Sequence, residues 1–306
     1  MGLSQTNLSF ASFSHLAISE DGNVYIHDAG AGTYYRIHIT DNTVKTLIEG
    51  IMERYQDTQS IINYSFELNF DKDFGDQKTF ISPMVPVYSS PVSNNVIVAD
   101  NPLIRGDELS SNIINRILSV FSINPNTVRR YTEADGSHVF VENNGVLKIS
   151  TNGIITFTAN DTGLALSGSD NSLVSLSNFI DSILSASGSQ RELTLTSLAS
   201  SGETSFTFDY LVAGTPVKFG DASAVSAKIK DGYLTEYTHI LREYAPASYQ
   251  SEVKSYIEAL DDTIVYYQDS MKEIHITKMY PAYIDDMQKG ELVKDWFIDI
   301  NGIVAE

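Results

Sequence analysis

The chain has 306 residues, and its 20 Lys+Arg against 39 Asp+Glu give a net charge of −19, a field that repels nucleic-acid phosphates and anionic lipid headgroups and excludes nucleic acid as an expected partner. It contains no cysteine, which removes disulfides, zinc thiolates and thiol chemistry. Its 42% hydrophobic content, with 14 Phe and 17 Tyr, supplies a packed core, and the length predicts about two domains.

In chain order, Asp21-Gly22 separates two short β-prone runs and predicts a hairpin turn, since both central positions of a type I′ turn take φ > 0. His27 and His38 flank the next hairpin, whose turn lies near Gly30 and Gly32, with Asp28 beside them. Two imidazoles without a third ligand read as strand residues, and no metal site is expected. Val44, Leu47, Ile48, Ile51 and Met52 recur with helical spacing after the caps Asp41 and Asn42. A strand follows over residues 64–70, and then the acidic cluster from Asp71 to Asp76. The cluster has its glycine at the fifth position and no glutamate at the twelfth, so a polar turn is expected rather than calcium.

Four of the eight prolines lie from Pro83 to Pro102, which predicts an irregular connection and a boundary near residue 105. The expected domains are 1–104 and 105–306, with a further split near 165 or 245 left open. Beyond it, Leu109, Ile113, Ile114, Ile117, Leu118 and Phe121 form a second helical stripe. Asp135-Gly136, Asn144-Gly145 and Asn152-Gly153 then punctuate a four-stranded meander, in which Arg129-Arg130 reads as a solvated strand face.

A loop over 161–171 precedes the third stripe, Leu173, Leu176, Phe179, Ile180, Ile183 and Leu184, which Gly188 stops. Strands are expected over 192–198, 204–212, 225–229, 234–241, 272–278 and 295–300, with turns at Asp231-Gly232 and Asn301-Gly302. Val253, Ile257 and Leu260 mark a fourth, shorter helix after Pro246. The predicted class is α+β and multidomain, made of repeated helix-then-antiparallel-strand units with helices on one face of each sheet.

No catalytic, cofactor-binding or metal residue is nominated. Ser251 and Lys254 match S-x-x-K, but the partner motifs S-D-N and K-T-G are missing. G-x-S-x-G, P-loop, dinucleotide-binding and H-E-x-x-H motifs are also absent. Asp261-Asp262 and Asp285-Asp286 read as solvated loop acids. In Tyr34-Tyr35, Tyr266-Tyr267 and Trp296-Phe297, one residue of each pair is expected in the core and the other outside as a contact residue.

The stretch from Pro125 to Thr132, continuing through Ala134-Asp135-Gly136-Ser137 and Val139 to Ile149, resembles the middle of YycH-family proteins. FTFDYLVAGTPV from Phe206 to Val217, AKIKDGYLTEY from Ala227 to Tyr237, and Met279-Tyr280-Pro281-Ala282-Tyr283 leading to Trp296-Phe297-Ile298-Asp299-Ile300-Asn301-Gly302 are similar to the C-terminal halves of YycH and its relative YycI. These blocks cover most of residues 120–306. The resemblance implies the extracytoplasmic part of a single-span membrane protein of Gram-positive bacteria. The family's membrane helix is missing from this sequence, and Met1-Gly2 fits either a start placed after an anchor or leader or an ordinary N-terminus.

The function so implied is non-enzymatic: signal transduction in a two-component system, by contacts with YycI and with the sensor histidine kinase YycG (WalK) that controls cell-wall metabolism. No cofactor is implied. The oligomeric state is open. A surface adhesin or ligand-binding module is the alternative, and an extracellular carbohydrate hydrolase the next; a deep cleft with paired carboxylates would distinguish the hydrolase.

Overall fold

The computed structural model describes residues 15–18, 23–28, 33–38, 46, 49–50, 62–64, 78–82, 85–88, 95–106, 108–160, 163–166, 171–189, 191–267, 269–288 and 290–304. Within them the protein is predominantly β, with three continuous helices. Near the start, β1 (His15–Ile18), β2 (Asn23–Asp28) and β3 (Thr33–His38) form an antiparallel sheet. Next come β4 (Ile62–Tyr64), β5 (Lys78–Ile81), β6 (Pro86–Tyr88), β7 (Asn95–Asp100), and the short pair β8 (Ile104–Arg105) and β9 (Glu108–Leu109).

Helix α1 (Ser111–Val120) leads into the meander β10 (Arg129–Thr132), β11 (His138–Glu142), β12 (Gly145–Ile149) and β13 (Ile154–Ala159), and β14 (Leu164–Ala165) precedes α2 (Ser172–Ser187). The chain continues through β15 (Glu192–Ser200), β16 (Thr204–Val212), β17 (Thr215–Lys218), β18 (Val225–Lys230), β19 (Tyr233–Ile240) and β20 (Glu243–Gln250). Helix α3 (Tyr256–Tyr267), β21 (Met271–Ile284), β22 (Gly290–Leu292) and β23 (Lys294–Val304) complete it.

Thirteen strands make one mixed sheet, with the path β10-β11-β12-β13-β19-β18-β16-β17-β21-β23 and β14, β15 and β5 joined to its sides. Its parallel pairs are β17 with β21 and β5 with β21. One core lies under α1 and α2, where Ile113, Ile117, Leu176, Phe179 and Ile183 cover Phe140, Leu147, Phe157 and Phe206 of the sheet. Phe121 sits at its centre, with ring centroids 5.4 Å from Phe157 and 5.2 Å from Phe179. The second and third stripes thus face the sheet as expected. Asn171 caps α2 through bonds to the amides of Leu173 and Val174, and Gly188 ends it with φ of 79°.

The structure differs from the sequence reading in several places. Helices and strands do not alternate as repeated units, because long β segments pair with distant ones. The proline-rich stretch is not simply a connection: β7 lies inside it, between β20 and β22. Through β5 and β7, residues before 105 pair with strands after it.

The meander has the expected four strands but different turns. Gly136 and Gly153 have φ of 82° and 92°, while Asp135 and Asn152 stay at negative φ, as in three-residue loops whose last residue alone is left-handed. The turn of β11 and β12 falls on Asn143 and Asn144, with Gly145 already paired to Glu142. Asp231 and Gly232, at 52° and 82°, do form the two-residue turn expected, and Ala213-Gly214, at 48° and 75°, forms one that was not. Asn301-Gly302 is no turn, since both residues lie within β23 opposite His275 and Ile274. Asp21-Gly22 lies outside the described residues, as do the Asp71 to Asp76 cluster and all five residues of the first helical stripe; interspersed with them, Thr46, Glu49 and Gly50 are described and helical.

Candidate functional site

The outer face of α3 is the most distinctive accessible feature. Its start is fixed by Ser255: the Ser255 hydroxyl accepts from the Glu258 amide at 3.2 Å, and the Glu258 carboxylate accepts from the Ser255 amide at 2.8 Å. This reciprocal capping, S-x-x-E, starts the helix at Tyr256, three residues after the start of the predicted stripe, so Val253 falls outside the helix. Trp296 Nε1 donates to the Lys254 carbonyl at 2.8 Å and ties that turn to β23.

Inward, Ala259 and Leu260 pack on Val85, Ile274, Ile276, Met279 and Trp296. Outward, two adjacent rows at i, i+4, i+8 spacing carry Ile257, Asp261, Val265 and Glu258, Asp262, Tyr266, all exposed. Val265 and Tyr266 are 61% and 77% exposed, and Ile257 is 51% exposed, which corrects its placement on the core side. The Tyr266 ring stands edge-on to Tyr267 at 4.8 Å. One cation serves this face: Lys254 bonds Asp262 at 2.6 Å, which leaves Glu258 and Asp261 without an ion pair among the described residues.

The strongly perturbed titratable groups lie elsewhere and inside. His239, 0% exposed, bridges two buried phenols at 2.9 Å (Nε2 to Tyr210) and 2.8 Å (Nδ1 to Tyr237). The Tyr210 hydroxyl donates to the Ile240 carbonyl at 3.1 Å. The hydroxyl hydrogen is thereby used, so Nε2 carries the proton toward Tyr210, and Nδ1 accepts from Tyr237. Burial lowers the imidazole pKa to about 3 and holds it neutral, and burial raises both phenols.

Next to this chain Arg242 forks onto Asp285, which also accepts from the Tyr244 hydroxyl at 3.0 Å and the Met287 amide at 2.7 Å. Asp285 was expected in solvent; it is 1% exposed. A third polar group joins Lys218 to Asp209, with the ammonium 5.0 Å from the Phe297 ring centre. Burial works to lower the Lys218 pKa, but Asp209 outweighs it and the net shift is upward. These networks pair most of their polar groups within the core, although Asp209 Oδ1 is buried with no hydrogen-bond partner among the described residues, and they join β16, β17, β19, β20 and the turn after β21.

The remaining candidates separate. His38 Nδ1 lies 3.1 Å from Asn23 Oδ1, while His27 pairs in register with His15 and Tyr34, so the two histidines sit at opposite ends of their hairpin. Among the described residues no cluster of three or more His, Asp or Glu suits a metal ion. Ser251 precedes α3 and Lys254 is engaged with Asp262, so S-x-x-K does not stand on one helical turn. Arg129 and Arg130 are exposed on β10, as expected. Trp296 is buried and Phe297 half-buried. No described helix is long and apolar enough to cross a membrane.

No family model and no curated protein sequence matches this chain.

Proposed function

We propose that this protein is a non-enzymatic regulator that works by protein contacts, and that α3 presents one contact surface. The supporting observation is the exposed Ile257, Val265 and Tyr266 set among Glu258, Asp261 and Asp262 on one helix. Such a face suits a partner segment with basic residues flanked by apolar ones, because burial supplies affinity and opposite charge speeds encounter. Scattered surface apolar residues are ordinary, but three on one short helix that buries only Ala259 and Leu260 form a patch.

The resemblance to YycH and YycI names the partners: a YycI-like protein and the extracytoplasmic domain of the sensor histidine kinase YycG, in a Gram-positive cell envelope with a membrane anchor preceding this segment. Regulation of the kinase then requires different affinities for its two states, since equal affinity shifts no population.

The test is co-purification with those two partners from one organism, using membrane-anchored and soluble forms, with wild type and a Val265→Lys, Tyr266→Glu double variant. Binding by wild type that is weakened tenfold or more in the variant is expected, the loss of roughly 1.4 kcal/mol at a contact residue. Absence of binding in every form sinks the regulator reading, and unchanged binding by the variant removes α3 from it.

A further inference from the structure

Of the lysines whose surroundings are described, Lys148, Lys218, Lys228, Lys254 and Lys278 each hold a carboxylate, and Lys230 and Lys272 are exposed. Lys294 does neither. It is 8% exposed, its side chain makes no hydrogen bond or ion pair among the described residues, and its ammonium lies 5.5 Å from the centre of the Tyr283 ring.

The strand dictates this placement. From Glu291 to Trp296 exposed and buried residues alternate, which turns Leu292, Lys294 and Trp296 to the interior. Lys294 stands in register opposite Tyr283. Tyr283 and Leu292 belong to one apolar cluster and Trp296 to another, so the lysine comes at the junction of the two.

An ammonium withdrawn from water without a counter-ion is destabilised, and one aromatic face recovers only part of the loss. Burial accordingly lowers the Lys294 pKa from the ordinary lysine value, with no neighbouring charge acting against it. At neutral pH a larger share of this side chain is the uncharged, nucleophilic amine than of a lysine in water.

We infer that Lys294 is a reactive amine site that takes a small uncharged aldehyde or ketone and holds it as an imine. The amine lone pair attacks the carbonyl carbon, a proton passes from nitrogen to oxygen to give a carbinolamine, and departure of water leaves the C=N bond. Nothing is oxidised or reduced. The product suits its surroundings, since a neutral imine has no charge to desolvate and its carbon substituent joins an apolar junction. An anion is the poorer occupant, because the chain's net charge of −19 repels it. The site is independent of the contact surface proposed on α3.

The probe is propanal, with cyanoborohydride added to reduce any imine to a stable secondary amine, and peptide mass spectrometry reads each lysine in the same sample. At pH 7 Lys294 is expected to be labelled at least tenfold faster than Lys230 and Lys272, and this ratio to fall as the pH is raised to 9, where exposed amines gain neutral form. Without reductant, propanal is expected to raise the melting temperature of the wild type and to leave Lys294→Met unchanged. Labelling of Lys294 no faster than that of Lys230 and Lys272, or a ratio that does not change with pH, overturns the inference. Suppression of Lys294 labelling by acetate, with Lys230 labelled as before, overturns it in favour of an anion site.

Discussion

Arg242 and Asp285 stand 43 residues apart and meet as a buried two-pronged ion pair, Nε to Oδ2 at 2.9 Å and Nη2 to Oδ1 at 3.1 Å. The pair fastens the segment between β19 and β20 to the turn between β21 and β22. Removing one partner strands a charge in the core. Asp285→Ala is expected to cost about 3–5 kcal/mol, and Arg242→Met with Asp285→Leu to recover much of it. Urea unfolding of the single and double variants measures the difference; equal losses in both would show that the pair's geometry, and not the stranded charge, dominates.

His239 sets an acid dependence of stability. Below about pH 6.5 the unfolded chain protonates this imidazole, while the folded chain holds it neutral down to about 3. The unfolded state then binds more protons, so stability falls as pH falls through that window and the contribution is constant above it. Between about pH 5.5 and 4, the wild type is expected to lose roughly 1.4 kcal/mol per pH unit more than His239→Gln. Denaturant midpoints across that range provide the check, and parallel slopes would mean that the folded protein protonates His239.

Ala213 occupies the left-handed region at φ 48° in the turn between β16 and β17. An L-residue with a Cβ is disfavoured there, and asparagine tolerates it better. Ala213→Asn is expected to stabilise the protein by about 0.5–1 kcal/mol, seen as a raised melting temperature.

Gly145 is needed for a different reason. A Cβ at this position meets Phe157 Cε2 and the Thr158 carbonyl oxygen at 2.6 Å each. Gly145→Ala is therefore expected to destabilise by about 1–3 kcal/mol through overpacking, although its φ is not left-handed. Gly214→Ala, with no atom within 4 Å of its Cβ, costs only the strain of its φ of 75°. Paired calorimetry of the two variants separates the mechanisms.

Local signals were legible and distant pairings were not. The apolar stripes of α1 and α2 and the Gly188 stop act within a few residues, and the sequence places them correctly, whereas Asn171 reads only as the end of a loop and proves to be the cap of α2. The Asp-Gly and Asn-Gly pairs mark where a turn is cheap, but pairing partners decide whether one forms. Opposite β21, Asn301-Gly302 gains more from a continued ladder than from a bend. Asp285 reads as a loop acid because its partner is 43 residues away. In the fourth stripe Leu260 is buried as expected, but Ile257 turns outward and Ala259 is buried instead, because three apolar residues define a helical face poorly. The face of α3 left its trace in Ser255 and Glu258, a capping pair that locates the helix start and thereby its exposed side.

β7 places a timing demand on the chain. Its backbone partners are β20 and β22, and the Asn95 carbonyl at its start accepts from Tyr283, 188 residues downstream. A chain emerging N-terminus first carries this apolar segment unpaired until residues beyond 243 arrive, and closing so long a loop gains nothing before the last strands are present. The meander with α1 and α2 can assemble early from neighbouring contacts. The sheet around β7 is a late event, and the newborn chain depends on shielding of β7 in the interval.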